Sequence, residues 1–405
     1  MNASRRAAGA APSPAVLHAL IVGLTVALGA SLALLAAVAG RMARRVVTPA
    51  GRLADTRIVD VDVAAQTITL SKTADTVLPG RYGLFTAGTA DYVKVGSVLS
   101  DDESTVTRKL LTHIGSDSRL AADAAFSGWY FDHPEQLHLP FESELVGAAV
   151  GPCPAWIFPS AQPSDTWVIQ VHGRGTTRAE CLRAVPLFQG LGITSMLVSY
   201  RNDGSAPRSR SGAYALGATE WRDVDAALGV ARRRGARRII VMGWSMGGAI
   251  ALQVALNSAH RNLLAGIVLE SPVIDWRRVL SYQARQLGLP AGVAGLAIGA
   301  LGTDWATPLT GTEARIPFER LDVVARAGEL RHPVLILHSD DDGFVPPDAS
   351  YDLAAARPDL VEMQTFSVAR HTKLWNYDQD RWSRSITEWL EGHDLIPQPP
   401  AASRL

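Results

Sequence analysis

A serine framed by glycines, Gly243-Trp244-Ser245-Met246-Gly247-Gly248, is where this chain could do covalent chemistry. A serine hydroxyl is a poor nucleophile at neutral pH. It becomes useful when a strand feeds a tight turn into a helix and presents it to a base. The flanking residues supply that setting. Arg238-Ile239-Ile240-Val241-Met242 reads as a strand, and Ala249 to Ser258 as an alanine-rich helix. Glycines at 243, 247 and 248 suit such a turn, because a Cβ there would crowd it. The plainer alternative is a solvated serine on a Gly-rich turn.

Downstream residues argue against that alternative. Pro333-Val334-Leu335-Ile336-Leu337 reads as a buried strand followed by His338-Ser339-Asp340-Asp341-Asp342-Gly343-Phe344-Val345-Pro346. A further strand-like run, Val361 to Val368, ends at Ala369-Arg370-His371-Thr372. Serine, acid and histidine thus follow in the order of an α/β-hydrolase triad, each after a predicted parallel strand. The acid must be chosen among three aspartates. The segment resembles the H-G-x-x-D-x-x-V-P pattern of many α/β-hydrolases, with Ser339 in place of the glycine, and alignment on Val345-Pro346 selects Asp342. Asp340 and Asp341 are then loop residues, and Glu270 is an alternative acid.

Acyl chemistry also needs donors for an oxyanion. The backbone N–H of Met246, next to the nucleophile, is one. The strand Trp167 to Val171 leads into His172-Gly173-Arg174-Gly175, which resembles the H-G-x-G loops of this superfamily and assigns the second N–H to Arg174. His172 reads as a brace for that loop. The Arg174 guanidinium is either solvated or set to meet a substrate carboxylate.

From about 140 to 392 the chain resembles an α/β-hydrolase of the serine esterase or acyl-peptidase-like kind. It is more narrowly similar to bacterial membrane-anchored hydrolases of largely unknown substrate. Val171-His172-Gly173-Arg174-Gly175, Ser199-Tyr200-Arg201-Asn202-Asp203, Thr219-Glu220-Trp221-Arg222-Asp223 and Leu269-Glu270-Ser271-Pro272 carry that closer likeness. These motifs speak for nucleophilic hydrolysis and say little about substrate.

The elements that must position these residues are legible in the periodicity. Apolar runs alternate with helical patterns, which implies a mostly parallel sheet covered by helices on both faces. The alternation lapses over 272–331, where a cap insertion is expected. Its stretch Leu287 to Leu301, rich in Leu, Ala and Gly, would line a pocket for an apolar acyl or alkyl group or form the buried face of cap helices. Ahead of the hydrolase domain (126–393) lies a β-rich segment, 52–125, with strand-like runs at 57–63, 67–70, 92–99 and 105–111. It shows no chemical constellation. Residues 394–405 read as a flexible tail.

Within the first 45 residues, Ala15 to Gly40 carries no formal charge over roughly 25 residues, enough to cross a bilayer. Ala37-Val38-Ala39 resembles a signal-cleavage site, but the apolar stretch exceeds an ordinary h-region. A retained single-pass anchor is the expectation. Arg5 and Arg6 before it and Arg41, Arg44 and Arg45 after it leave the side of the catalytic domain open.

The chain has 405 residues, is 47% hydrophobic and has formal net charge zero, so no electrostatic case exists for a nucleic-acid partner. The run Arg232-Arg233-Arg234 falls at a predicted helix end, where cations complement the dipole. Cys153 and Cys181 have no metal-like spacing, and whether they pair is open. The expected chemistry is two-step transfer of an ester's acyl group through Ser245, His371 and Asp342, without cofactor or metal. A serine peptidase of the oligopeptidase type, an acyltransferase and a non-enzymatic binding protein share the same motifs. A dehalogenase would require an aspartate at 245.

Overall fold

The computed structural model describes residues 13–86 and 92–397. Arg5, Arg6 and the tail beyond 397 lie outside the described residues. Chain order begins with helix α1 (Pro14–Val47), then strands β1 (Thr56–Asp62), β2 (Thr67–Ser71), β3 (Tyr82–Thr86), β4 (Tyr92–Asp101), β5 (Thr105–Leu110) and β6 (Asp123–Ser127). The six strands close into an antiparallel barrel in the order β1-β2-β5-β4-β3-β6. Alternate residues such as Ile68, Leu70, Val93, Val95 and Leu84 fill its interior. Strands β3 and β6 were not expected from sequence. Tyr82-Gly83-Leu84-Phe85-Thr86 is buried at four of its five positions, so no polar face alternates with an apolar one.

Inside the barrel Arg108 is fully buried without a carboxylate. Its guanidinium donates to the carbonyls of Gly96 (2.9 Å), Thr76 (2.7 Å), Leu78 (2.8 Å) and Gly80 (2.9 Å). Burial lowers its pKa to about 10, and the three acceptors at 76, 78 and 80 tie that loop to Arg108.

The second sheet has eight strands: β7 (Glu142–Ala148), β8 (Gly151–Phe158), β9 (Thr166–Val171), β10 (Thr194–Val198), β11 (Arg238–Trp244), β12 (Leu264–Glu270), β13 (Val334–Ser339) and β14 (Val361–Phe366). Their spatial order is β14-β13-β12-β11-β9-β10-β8-β7, antiparallel at β7 and β8 and parallel elsewhere. Along β11, Ile239 and Val241 enter the core on one face while Ile240, Met242 and Trp244 enter the core on the other. Double burial explains why β9 to β13 read as near-continuous apolar runs.

The helices α2 (Val185–Gly190), α3 (Trp221–Arg233) and α4 (Met246–Asn257) connect the central strands. Between β12 and β13 come α5 (Trp276–Gln286), α6 (Ala291–Leu301), α7 (Thr307–Thr310) and α8 (Phe318–Leu321); α9 (Asp348–Ala356), α10 (Leu374–Tyr377) and α11 (Gln379–Gly392) complete the chain order. Arg234, just past α3, pairs with Glu142 at 2.8 Å and Glu144 at 2.6 Å, so the basic run ends in surface ion pairs.

Helix α1 is long and apolar enough to cross a membrane, a test that a signal sequence also passes. Its last turns fold onto the hydrolase body. Ala39, Ala43 and Val47 are buried in the same core as Ala297 and Leu301 of α6, and the Val47 carbonyl accepts from the Tyr214 amide at 2.7 Å. The cap's apolar residues therefore divide between packing on α1 and open exposure, as at Leu287 and Leu296, rather than all lining a pocket. Cys153 and Cys181 are both buried free thiols.

Candidate active site

Strands β9, β11, β13 and β14 end at one edge of the sheet, and the side chains of interest stand just beyond those ends. Ser245 follows β11 with φ 53° and ψ −117°, a backbone state that costs about 1–3 kcal/mol and persists only where neighbours enforce it. Its amide donates to the Glu270 carbonyl (3.1 Å), and its carbonyl accepts from Gly248 (2.9 Å) and Val273 (3.1 Å). Sequence makes that turn possible. A Cβ on Gly247 would stand 2.1 Å from the Val171 carbonyl oxygen, and one on Gly243 would stand 2.3 Å from the Gly247 carbonyl oxygen.

His371 Nε2 lies 3.0 Å from Ser245 Oγ, and its Nδ1 lies 2.8 Å from Asp342 Oδ2. An ionised carboxylate only accepts, so the proton belongs on Nδ1 and Nε2 is left to accept from the hydroxyl. Asp342 is anchored from behind. Its Oδ1 accepts from the amides of Phe344 (2.9 Å) and Val345 (2.8 Å), and buried His338 brings Nε2 within 3.3 Å of Oδ2. Burial by itself would raise the Asp342 pKa. The facing His371 and the contact with His338 outweigh that burial and hold the carboxyl well below the usual range.

The neighbouring acids are engaged elsewhere. Asp340 accepts from the Tyr351 hydroxyl at 2.7 Å, and Asp341 pairs with Arg370 at 3.1 Å. Glu270, the alternative acid, is fully buried and accepts from the indoles of Trp244 (2.9 Å) and Trp382 (2.8 Å). It does not meet the imidazole.

On the other side of Ser245 lies the loop after β9. His172 stacks on Tyr200 with ring centroids 4.3 Å apart; its Nε2 lies 3.1 Å from Asp203 and its Nδ1 2.9 Å from the Gly173 carbonyl. The ring braces the loop, as expected. The Gly173 amide is committed to the Glu180 carboxylate at 2.9 Å. Arg174's side chain departs from the sequence expectation. Its Nε and Nη2 donate to the carbonyls of Val46 and Arg45, both at 2.8 Å, so the guanidinium caps the end of α1 instead of facing substrate. The Met246 amide lies at the first position of α4, where a helix leaves its N–H groups without intrahelical acceptors.

His338, Glu180 and Asp203 were missed as supports of the site. His338 and Asp203 lie in quoted motif segments, but the partners that give all three their roles are set by buried contacts across loops. Among the described residues, no three His, Cys, Asp or Glu side chains gather as a metal site.

Comparison with known proteins bears on the fold and the enzyme class. Residues 209–394 match the prolyl oligopeptidase family, and residues 57–127 match a domain of unknown function, DUF8805. No curated protein sequence matches the chain. Among solved structures, the chain is similar to the Pyrococcus furiosus esterase Pf2001. That likeness has 16% identity and a TM-score of 0.51, and it covers 65% of this chain and 94% of that one. A puromycin-hydrolyzing peptidase from Mycobacterium tuberculosis is similar at 19% identity and TM-score 0.48, covering 83% of this chain and 47% of that one. The chain is a serine hydrolase of the α/β-hydrolase fold, preceded by an N-terminal helix and a small closed β-barrel.

Proposed function

We propose that the protein is a membrane-anchored carboxylic-ester hydrolase that works through an acyl-enzyme on Ser245. The observation that carries this reading is the continuous relay from Ser245 Oγ through His371 to Asp342, at 3.0 and 2.8 Å. Ser245 Oγ attacks the ester carbonyl carbon as its proton passes to His371 Nε2, with Asp342 steadying the charged ring. The backbone N–H groups of Met246 and Arg174 receive the oxyanion, each donor worth about 3–4 kcal/mol in the transition state. His371 returns the proton to the departing alcohol. Water, deprotonated by the same nitrogen, then releases the acid and restores the serine.

An ester fits the surroundings better than a charged peptide end. Arg174, Arg370 and Glu180 around the relay already hold intramolecular partners. The Phe344 ring, 5.0 Å from that of His371, offers an apolar wall. The prolyl oligopeptidase match over 209–394 favours peptide hydrolysis as the second reading.

A fluorophosphonate probe should label the wild-type chain and not Ser245→Ala. That variant should lose about a million-fold in kcat. Acyl esters of graded length and peptide amides would then be compared on the labelled-competent enzyme. Turnover confined to amides would move the assignment to peptidase, and an unlabelled Ser245 would end it.

The anchor belongs to the same proposal. Helix α1 runs unbroken past Ala37-Val38-Ala39, and Ala39 itself is buried against the body. Cleavage there would cut a packed helix. The mature protein should therefore keep its first 39 residues by intact mass and resist carbonate extraction from membranes.

A further inference from the structure

We infer that the cap segment 287–309 is a lipid-docking surface, resting in the headgroup layer of the bilayer that α1 enters; this inference rests on the anchor reading above. Helix α6, Ala-Gly-Val-Ala-Gly-Leu-Ala-Ile-Gly-Ala-Leu, has no polar side chain on any face. A helix apolar all round has no face suited to water and needs to be covered completely. Yet only one side is covered here. Ala297 and Leu301 join the core that contains Ala39 and Ala43 of α1, whereas Gly292, Gly295, Leu296 and Gly299 face outward, with Leu296 52% exposed. At 11 residues, or about 16 Å, α6 is half the length needed to cross the hydrocarbon layer. It can lie along the boundary but cannot span it.

The flanks extend the same surface. Leu287 precedes α6, and Trp305 (74% exposed) and Leu309 follow it, all open to solvent. Indoles favour the membrane interface, where an apolar ring and a polar N–H are both accommodated. Isolated exposed apolar residues are ordinary, but four within one cap segment beside an apolar helix mark an interaction surface. What covers it follows from continuity. Helix α6 packs on α1 at the turn that carries exposed Arg41 and Arg44, the first charges after the apolar stretch. Arg44 also approaches Gly311, directly after α7. Those arginines set the headgroup level, so the apolar cap face lies at that level too. Asp304 and Arg315, 3.9 Å apart, border the patch. The occupant is therefore the bilayer surface.

The test uses the full chain reconstituted into phosphatidylcholine vesicles containing phosphatidylglycerol. Both native thiols are buried, so single cysteines can carry an environment-sensitive fluorophore. The positions are Val26→Cys on α1, Leu296→Cys and Trp305→Cys on the cap, and Leu99→Cys on the barrel. Lipid-borne nitroxide should quench positions 26, 296 and 305 and spare 99. Quenching at 26 with positions 296 and 305 as bright as 99 would overturn the docking surface while keeping the anchor. No quenching at 26 would overturn both. Cross-linking between copies through position 296, without quenching, would assign the face to a second copy instead. Independently, Leu296→Asp should lower hydrolysis of a vesicle-borne long-chain ester several-fold and leave a soluble short-chain ester unchanged. Equal loss on both substrates would count against lipid docking.

Discussion

At the level of single residues, three consecutive aspartates show how environment assigns different tasks to one side chain. Asp342 reaches His371 and takes two backbone amides, while Asp340 and Asp341 bind Tyr351 and Arg370 at the surface. Asp342→Asn should therefore reduce kcat by about ten-thousandfold, as the wrong tautomer is imposed on the imidazole. Asp341→Asn should stay within a few-fold; equal losses in parallel assays would overturn the assignment. Asp203 supports a pH prediction. Burial alone would raise its pKa, but the His172 contact and the Ala206 amide outweigh burial and lower it. A depressed folded pKa contributes stability that is present above the unfolded value, about 3.9, and is lost as pH falls through the folded value. Asp203→Asn should thus be less stable than wild type near neutrality by about 2 kcal/mol. That gap, followed by denaturant melts, should close below about pH 4. A gap that widened on acidification would show that the His172 pairing does not hold Asp203 ionised.

Secondary-structure elements carry the part of the site that sequence reading reached least well. The strand–turn–helix around Ser245 and the loops after β13 and β14 were legible, because apolar runs ending at Ser, Asp and His repeat one local pattern. Strands β9 to β13 were legible for the same reason, through double burial of their residues. The Arg174 side chain was not. Nothing near position 174 indicates that carbonyls some 130 positions upstream would take its guanidinium, since that depends on how α1 docks. The tie has a consequence for rate. In the proposed mechanism Arg174 offers its main-chain N–H to the oxyanion, while its side chain fixes the loop to Arg45 and Val46. Arg174→Ala keeps the N–H but frees the loop, so kcat should fall roughly tenfold, about 1.4 kcal/mol, with little change in KM. Arg174→Lys can make one of the two bonds and should recover part of the loss. Full activity in Arg174→Ala would separate α1 from catalysis.

Across the whole molecule, the barrel touches the catalytic domain at the loop that carries His371. Asp75 lies between the flanks of that histidine, 3.0 Å from Lys373 Nζ and 3.8 Å from Arg370 Nε. A few residues on, the Asn376 side chain donates to the Arg81 carbonyl at 2.8 Å, and the Arg81 amide donates back to the Asn376 carbonyl at 3.3 Å. The 76–80 stretch between these contacts is the one pinned by the buried Arg108 guanidinium. Period-two alternation betrayed barrel strands, but a clasp made by one loop on another leaves no periodic trace. The barrel thus forms a rigid outer support for the imidazole. Asp75→Asn removes the charge that pairs with residues 370 and 373 while keeping volume. Because the group is partly exposed and screened, the expected cost is modest: roughly a fivefold fall in kcat, about 1 kcal/mol. The melting temperature should hardly move, since the barrel and hydrolase cores are untouched. Fluorophosphonate labelling of Ser245 should slow by a similar factor, because it needs the same imidazole placement. High salt should bring the wild type towards the variant, as screening weakens the pair. Unchanged labelling and turnover in Asp75→Asn would reduce the barrel to a spacer between α1 and the hydrolase.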